Sequence, residues 1–331
     1  MATTVITAFN EFMSDVVNLE KNSTDDARSS RDWLFDRLNG FESDGSSPVN
    51  YPDIHTGFGS FARRTKIRPL DDIDLMFGLS GEGCTYTIYS DKITLDSDET
   101  PRRLNNFRHT DSLTVSSIRI LNHFRNKLQN IPQYQVADIK RNQEAITLKL
   151  TSKTWNFDIV PCFITQADIY GRSYYLIPDG YGHWKKTDPR IDKKRTTDIN
   201  VKNNGNVLNV IRVVKYWQTT KALPTIGSYL LETLILNYYD NKTGCQAWVD
   251  MELQNLFSYL SFYIKYSVDD HKGIQGDINH LTAEARQKIS DKFNSDAIKV
   301  GEAREFERSD EHNKSINKWR EIFGVRFPEF G

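Results

Sequence analysis

The hydrophobic and polar positions change rhythm twice along the chain. Val5, Phe9, Phe12, Val16 and Leu19 recur at three- and four-residue intervals, the spacing that places side chains on one helical face. Ala27 to Leu38 predicts a second helix, ended by the polar loop from Gly40 to Pro48. The period then shortens. Ile54 to Phe61 leads into a Gly-Ser turn, Asp72 to Leu79 alternates as a half-buried strand does, and Cys84 to Ile93 predicts a hairpin arm. Leu113 to Gln129 predicts a helix. Tyr134 to Ile139, Ala145 to Leu150 and Trp155 to Pro161 read as strands of a mixed sheet, separated by polar turns such as Arg141-Asn142-Gln143. From about Val207 the helical period returns, with Leu208, Ile211, Val214 and Trp217 on one stripe. Tyr229 to Tyr239, Cys245 to Tyr266, Ala283 to Phe293 and Asn313 to Phe323 continue it.

This order predicts an α+β protein in two parts. Residues 1–198 would hold the N-terminal helices and a mixed-sheet core, and residues 199–331 a helical lobe, with the boundary in the polar stretch Thr196 to Gly205. A chain of 331 residues can bury a core in each part. Lys+Arg 43 against Asp+Glu 44 leaves a net charge of −1, which argues against a chain built as a whole to bind polyanions. Locally the balance differs. Arg63, Arg64, Lys66 and Arg68 crowd behind the Gly-Ser turn, and Lys185, Lys186, Arg190, Lys193, Lys194 and Arg195 form a second basic stretch. The second is interrupted by Asp188 and Asp192, so a solvated face fits it as well as an anionic groove does. Three scattered cysteines without metal-ligand spacing fit a reducing cytosol. With no basic N-terminal leader and no apolar run near the ~20 residues of a membrane span, the expectation is a cytoplasmic protein without a membrane partner.

Candidate chemistry sits where the first rhythm change occurs. Gly57-Phe58-Gly59-Ser60 is followed, after eleven intervening residues, by Asp72-Ile73-Asp74. A tight Gly-Ser turn can cradle a triphosphate through backbone N–H groups and a hydroxyl, and a helix starting at Ser60 would aim free N–H groups at it. Asp72 and Asp74 share one face of a strand while Ile73, Leu75 and Phe77 point to the core, and Asp71 is left to the opposite face or the turn. Asp158, in Trp155-Asn156-Phe157-Asp158-Ile159-Val160-Pro161, supplies a third carboxylate from a neighbouring strand. Three carboxylates suit two Mg²⁺ ions in nucleotidyl transfer, with Asp158 assigned to the ion at the attacking hydroxyl and Mn²⁺ able to substitute. D-x-D alone is a weak signal, since paired acids at strand ends are common; the Gly-Ser turn and Asp158 together give it meaning.

The run Gly57 to Asp74 resembles the polymerase-β-like nucleotidyltransferase superfamily. Within that superfamily it is most similar to the CD-NTases, bacterial relatives of cyclic GMP-AMP synthase and oligoadenylate synthase. Phe157-Asp158-Ile159-Val160-Pro161 falls at the third-carboxylate position. Ile177-Pro178, Trp184 and Thr187-Asp188-Pro189 look like the segment that follows, and Arg212 to Trp217 with Ser228 to Glu232 resembles the helical-lobe signature. The resemblance spans roughly Thr56 to Glu232. It implies a polymerase-β-like core with a C-terminal helical lobe, bilobed with the active site in the cleft. It also implies that Lys215 and Ser228 contact the triphosphate beside Gly59 and Ser60, and that Tyr229 stacks on a base.

The activity so implied joins NTPs, ATP among them, into a cyclic di- or trinucleotide second messenger with release of pyrophosphate. The product would act on a separate effector in anti-phage (CBASS) signalling. By the same resemblance the terminal Gly331 is a candidate for conjugation by ubiquitin-like machinery. No Cys/His zinc insertion is present, so double-stranded DNA is not an expected partner. The competing reading is a template-free terminal or linear oligonucleotide transferase acting on RNA or NTPs, which calls for a long basic track. An aminoglycoside nucleotidyltransferase and a degenerate nucleotide-binding module are further alternatives, the last disfavoured by three intact carboxylates.

Overall fold

The structure, a computed structural model, describes residues 2–331. Its helices and strands follow in the order α1 (Val5–Phe12), α2 (Lys21–Gly40), β1 (Thr56–Phe58), α3 (Gly59–Ala62), β2 (Asp72–Gly78), β3 (Thr85–Ile88), β4 (Ile93–Asp96), α4 (Ser117–Gln129), β5 (Asp138–Asn142), β6 (Ala145–Lys149), β7 (Asn156–Ile164), β8 (Tyr175–Pro178) and β9 (Trp184–Thr187). Five helices close the chain after α5 (Pro189–Lys202): α6 (Val207–Thr219), α7 (Ser228–Asp240), α8 (Asp250–Tyr263), α9 (Ala283–Arg308) and α10 (His312–Phe323). The α+β class is as the sequence predicts. Two compact units emerge, one of residues 22–62 and 70–190, the other of residues up to 21, 63–69 and 191–331. Neither is a continuous run of chain, so no single cut near residue 198 generates them.

The first unit carries the sheet. Its order is β1-β2-β7-β8-β9-β4-β3, with the β5–β6 hairpin attached to β7. β2 and β7 run parallel at its centre, flanked by antiparallel neighbours. Alternation explains the burial: Ile73, Leu75 and Phe77 of β2, Phe157 and Ile159 of β7, and Ile146 and Leu148 of β6 are all buried. Phe77 meets Phe124 of α4 edge-on at 5.4 Å, which fixes this face as the helix-covered one. On the opposite face Met76, Val160, Cys162, Ala145, Tyr175 and Ile177 form a smaller apolar cluster.

His55 ties the end of β2 to α2. Its Nδ1 accepts the Gly78 N–H at 3.0 Å, so Nε2 carries the proton and donates to Asn39 Oδ1 at 2.9 Å. The ring stacks on Phe35 and packs on Phe77, and burial holds its pKa down to about 4.

The second unit is helical with an aromatic core. Trp217 stacks on Phe293 at 4.3 Å, and Phe9 and Phe12 of α1 pack with Trp319, Phe323 and Phe327. The N-terminal helix therefore belongs in contact with the C-terminal ones, and the backbone of Ala2 pairs with Glu329 and Gly331. Among the described residues no helix is long and apolar enough to cross a membrane.

Several predicted elements shift. The strand expected over Tyr134 to Ile139 is a 3-10 turn at Pro132–Tyr134 followed by β5, four residues later, because Pro132 fixes φ for a turn. The polar stretch expected as a boundary is largely α5, whose Thr196 and Thr197 hydroxyls return to carbonyls one turn back. The helix expected to end at Phe293 continues to Arg308.

Candidate active site

The carboxylates are placed by register. Asp74 of β2 and Asp158 of β7 are direct partners across the parallel pair, and Asp72 lies two residues earlier on the same face, opposite Asn156. Beyond β7 the row continues to Thr147 of β6, whose Oγ1 donates to Asp158 Oδ1 at 2.6 Å. On the other side Phe58 of β1 pairs with Asp74, which delivers the Gly-Ser turn beside that carboxylate.

Gly59 is required there for two reasons. Its φ is +68°, and a Cβ on it would lie 1.7 Å from Asp74 Oδ2. The Asp74 carboxylate occupies the space a side chain would need. Ser60 follows in a helix of a single turn, Gly59–Ala62. Any pull on phosphate from this element thus comes from its local N–H groups rather than from a sustained helix dipole.

Burial is the largest influence on Asp158 and raises its pKa. The Thr147 hydrogen bond opposes that rise, while the negative charges of Asp72 and Glu144 add to it. A half-buried acid with other acids near it makes a negative spot on an otherwise neutral chain. Among the described residues, no three acidic, cysteine or histidine side chains are placed so that together they could hold a metal ion. The donor set of Asp72, Asp74 and Asp158 is still of the chemical type that a hard divalent cation takes. It is all carboxylate oxygen, two members are cross-strand neighbours and the third is one pleat away.

In the helical unit, Lys215 is buried in α6 and donates to Glu232 Oε1 at 2.9 Å, while Arg63 Nε donates to Glu232 Oε2 at 3.0 Å. Burial works to raise the Glu232 pKa, but the two cations outweigh it and the net shift is downward. Glu232 thereby holds both cations in fixed positions. Ser228 is exposed at the first position of α7, and Gly227 before it supplies no side-chain cap, so the leading N–H groups of that 13-residue helix lack a side-chain partner at the cap. Tyr229 is half-buried. Its hydroxyl lies 2.6 Å from Asp270 Oδ1 and 3.1 Å from Asp192 Oδ1, and Lys272 Nζ sits 4.1 Å from the ring centroid. Asp270 also accepts N–H groups of Lys272, Ile274 and Gln275, which fixes the loop that orients the tyrosine.

Sequence reasoning named the acids, the turn and Lys215, Ser228 and Tyr229. It missed the residues that hold them: Thr147, Glu232 as the bridge between two cations, and Asp270. Thr147 had a signal, as the polar position between the apolar Ile146 and Leu148 of an alternating strand. The long basic track needed for an RNA-directed transferase is broken up. Lys185, Arg190, Lys194 and Arg195 pair with Glu144, Asp188, Asp198 and Asp240, and Lys186 lies over the Tyr174 ring.

The same arrangement of elements is found in solved structures. Escherichia coli MS115-1 CdnC, determined with ATP, superposes with a TM-score of 0.68 over 97% of this chain and 98% of that one, at 18% identity. The Vibrio cholerae cyclic AMP-GMP synthase DncV gives 0.60 over 83% of this chain and 70% of that one, at 13% identity. The fold is therefore that of the polymerase-β-like nucleotidyltransferases. At the level of sequence, a probable cyclic nucleotide synthase of Bacillus cereus (strain VD146) is 44% identical over 337 residues, 99% of each chain. The cyclic AMP-AMP-GMP synthase of Enterobacter hormaechei is 31% identical over 46% of this chain and 42% of its own. No protein-family profile matches. The chain belongs to the CD-NTase family and is a nucleotidyltransferase of the cyclic-nucleotide-synthesising kind.

Proposed function

We propose that the protein joins nucleoside triphosphates into a cyclic di- or trinucleotide, with Asp72, Asp74 and Asp158 as the acidic core of the site. The observation that carries this reading is the register pairing of Asp74 with Asp158, with Asp72 on the same face. Two Mg²⁺ ions on these carboxylates, or Mn²⁺ in their place, would activate the attacking hydroxyl and neutralise the leaving pyrophosphate.

In the bond-making step a ribose hydroxyl oxygen attacks an α-phosphorus, the bond from that phosphorus to the bridging oxygen breaks, and pyrophosphate leaves. The linear product then turns over, and a second attack closes the ring. The chain's own groups bind and orient. The Gly59-Ser60 turn brings backbone N–H groups and a hydroxyl to the triphosphate, with Gly59 leaving room for Asp74. Ser228 and the N-terminal N–H groups of α7 are assigned to phosphate oxygens, as is Lys215. One ammonium proton of Lys215 goes to Glu232, which leaves two for phosphate. Tyr229 is assigned to base stacking, on the ring face away from Lys272. The setting we assign is the cytoplasm, with the product acting on a separate effector in defence against phage.

The test is incubation of the purified protein with all four labelled NTPs and Mg²⁺ or Mn²⁺, then phosphatase treatment and mass identification. A phosphatase-resistant ring is expected. Linear products alone would replace this reading with that of a terminal transferase.

A further inference from the structure

We propose that Thr147 is a positioning residue that sets the orientation of the Asp158 carboxylate for divalent-cation binding, an inference that rests on Asp72, Asp74 and Asp158 forming the acidic core. Thr147 and Asp158 face each other directly in the antiparallel β6–β7 pair, and the Oγ1 to Oδ1 separation of 2.6 Å is that of a charge-assisted O–H···O⁻ bond. A threonine hydroxyl has one proton to give. Spending it on Oδ1 fixes one oxygen of Asp158 and thereby sets the plane of the carboxylate and the direction of Oδ2.

The device is rigid because its base is rigid. Ile146 and Leu148, on either side of Thr147, are fully buried against the helix-covered face, so the strand cannot rotate its polar side chain away. Threonine is also β-branched and restricted at χ1. An aspartate has the opposite property, a broad terminal torsion that lets an unrestrained carboxylate swing. A hydroxyl placed on the neighbouring strand, in the row of Asp74 and Asp158, removes that freedom before any cation arrives.

The test compares Thr147→Val, which keeps the branched shape and loses the hydroxyl, with Thr147→Ser, which restores the hydroxyl, and with Asp158→Asn. Mn²⁺ binding to the purified protein is followed by the electron paramagnetic resonance signal of the free ion, and product formation is measured against Mg²⁺ at saturating NTP. Thr147→Val should weaken Mn²⁺ and raise the half-saturating Mg²⁺ about tenfold, with the rate at saturating Mg²⁺ largely recovered. Thr147→Ser should stay within about twofold of the parent in both, since it can still donate the hydrogen bond.

Parental Mn²⁺ affinity in folded Thr147→Val would overturn the assignment, provided that Asp158→Asn weakens it. Parental affinity in Asp158→Asn as well would remove the acidic core itself. A loss of rate in Thr147→Val that no Mg²⁺ concentration recovers, with Mn²⁺ binding intact, would assign Thr147 a structural role instead. Thermal unfolding of each variant establishes folding. If Thr147→Val does not fold, Thr147→Ala takes its place with the same expected outcome.

Discussion

Glu232 and Asp158 are both carboxylates whose charge burial disfavours, and the chain treats them in opposite ways. Glu232 receives Lys215 and Arg63 within 3.0 Å, and its charge is favoured despite nearly complete burial. Asp158 receives one hydroxyl and the fields of Asp72 and Glu144, and its charge is opposed. An acid flanked by two cations is a structural tie. Acids gathered on neighbouring strands oppose one another's charge, and in the proposed function a bound cation relieves that opposition. In the proposed function Asp158 belongs to the chemistry, whereas Glu232 fixes Lys215 and Arg63.

The comparison breaks most visibly by neutralising each acid in turn. Asp158→Asn should lower product formation by on the order of 10³-fold, about 4 kcal/mol of transition-state stabilisation, while leaving chemical denaturation unchanged or slightly improved. Glu232→Gln should do the reverse in kind. It takes the carboxylate charge away from the buried Lys215 ammonium and should cost about 3–5 kcal/mol of folding stability. A pair of denaturation curves and a pair of rates decide it, and an Asp158→Asn protein as unstable as Glu232→Gln would erase the distinction.

A smaller effect tests the geometry between the turn and the acid. Gly59→Ala introduces a Cβ into the space of Asp74 Oδ2 at a backbone with φ of +68°. It should cost roughly 1–3 kcal/mol in stability and move Asp74, lowering the rate by about 10²-fold. Parental rate and unfolding midpoint in this variant would show that the close approach is not needed.

The smallest effect reads the underside of the same sheet. Burial depresses the His55 pKa to about 4, so the native protein keeps it neutral where the unfolded chain, with a pKa near 6.5, takes up a proton. Stability from this group is complete above pH 6.5 and lost as pH falls toward 4. The loss should be roughly 1–2 kcal/mol once its partial exposure is allowed for. His123, also depressed by burial, acts in the same direction. Equal stability at pH 7.5 and pH 4.5 in urea denaturation would contradict both assignments.

How far the chain was legible depended on periodicity. β2 and β7 alternate over their first four residues, Asp72 to Leu75 and Asn156 to Ile159, before both faces become buried, and that short alternation located Asp72, Asp74 and Asp158. β8 was not predicted because it is buried throughout, leaving no alternation to read. β9 was missed because two lysines fill a four-residue strand. The stripe of α9 beyond Phe293 consists of Ala297, Val300 and Ala303, small residues thinly spread among charges, which is why the prediction stopped 15 residues short.

The sequence by itself determined the local quantities: the turn that only glycine can make at residue 59, the acids on one face of a strand, and the helical stripes of the second unit. These depend on residues within a few positions of one another. Only the tertiary structure decided which acid lies opposite Asp74, that Thr147 donates a hydrogen bond to Asp158, and that Glu232 joins Lys215 to Arg63, which is 169 positions from Glu232 along the chain. Strand register and ion pairing between distant segments are set by the packing of whole elements, and a local pattern carries no record of them.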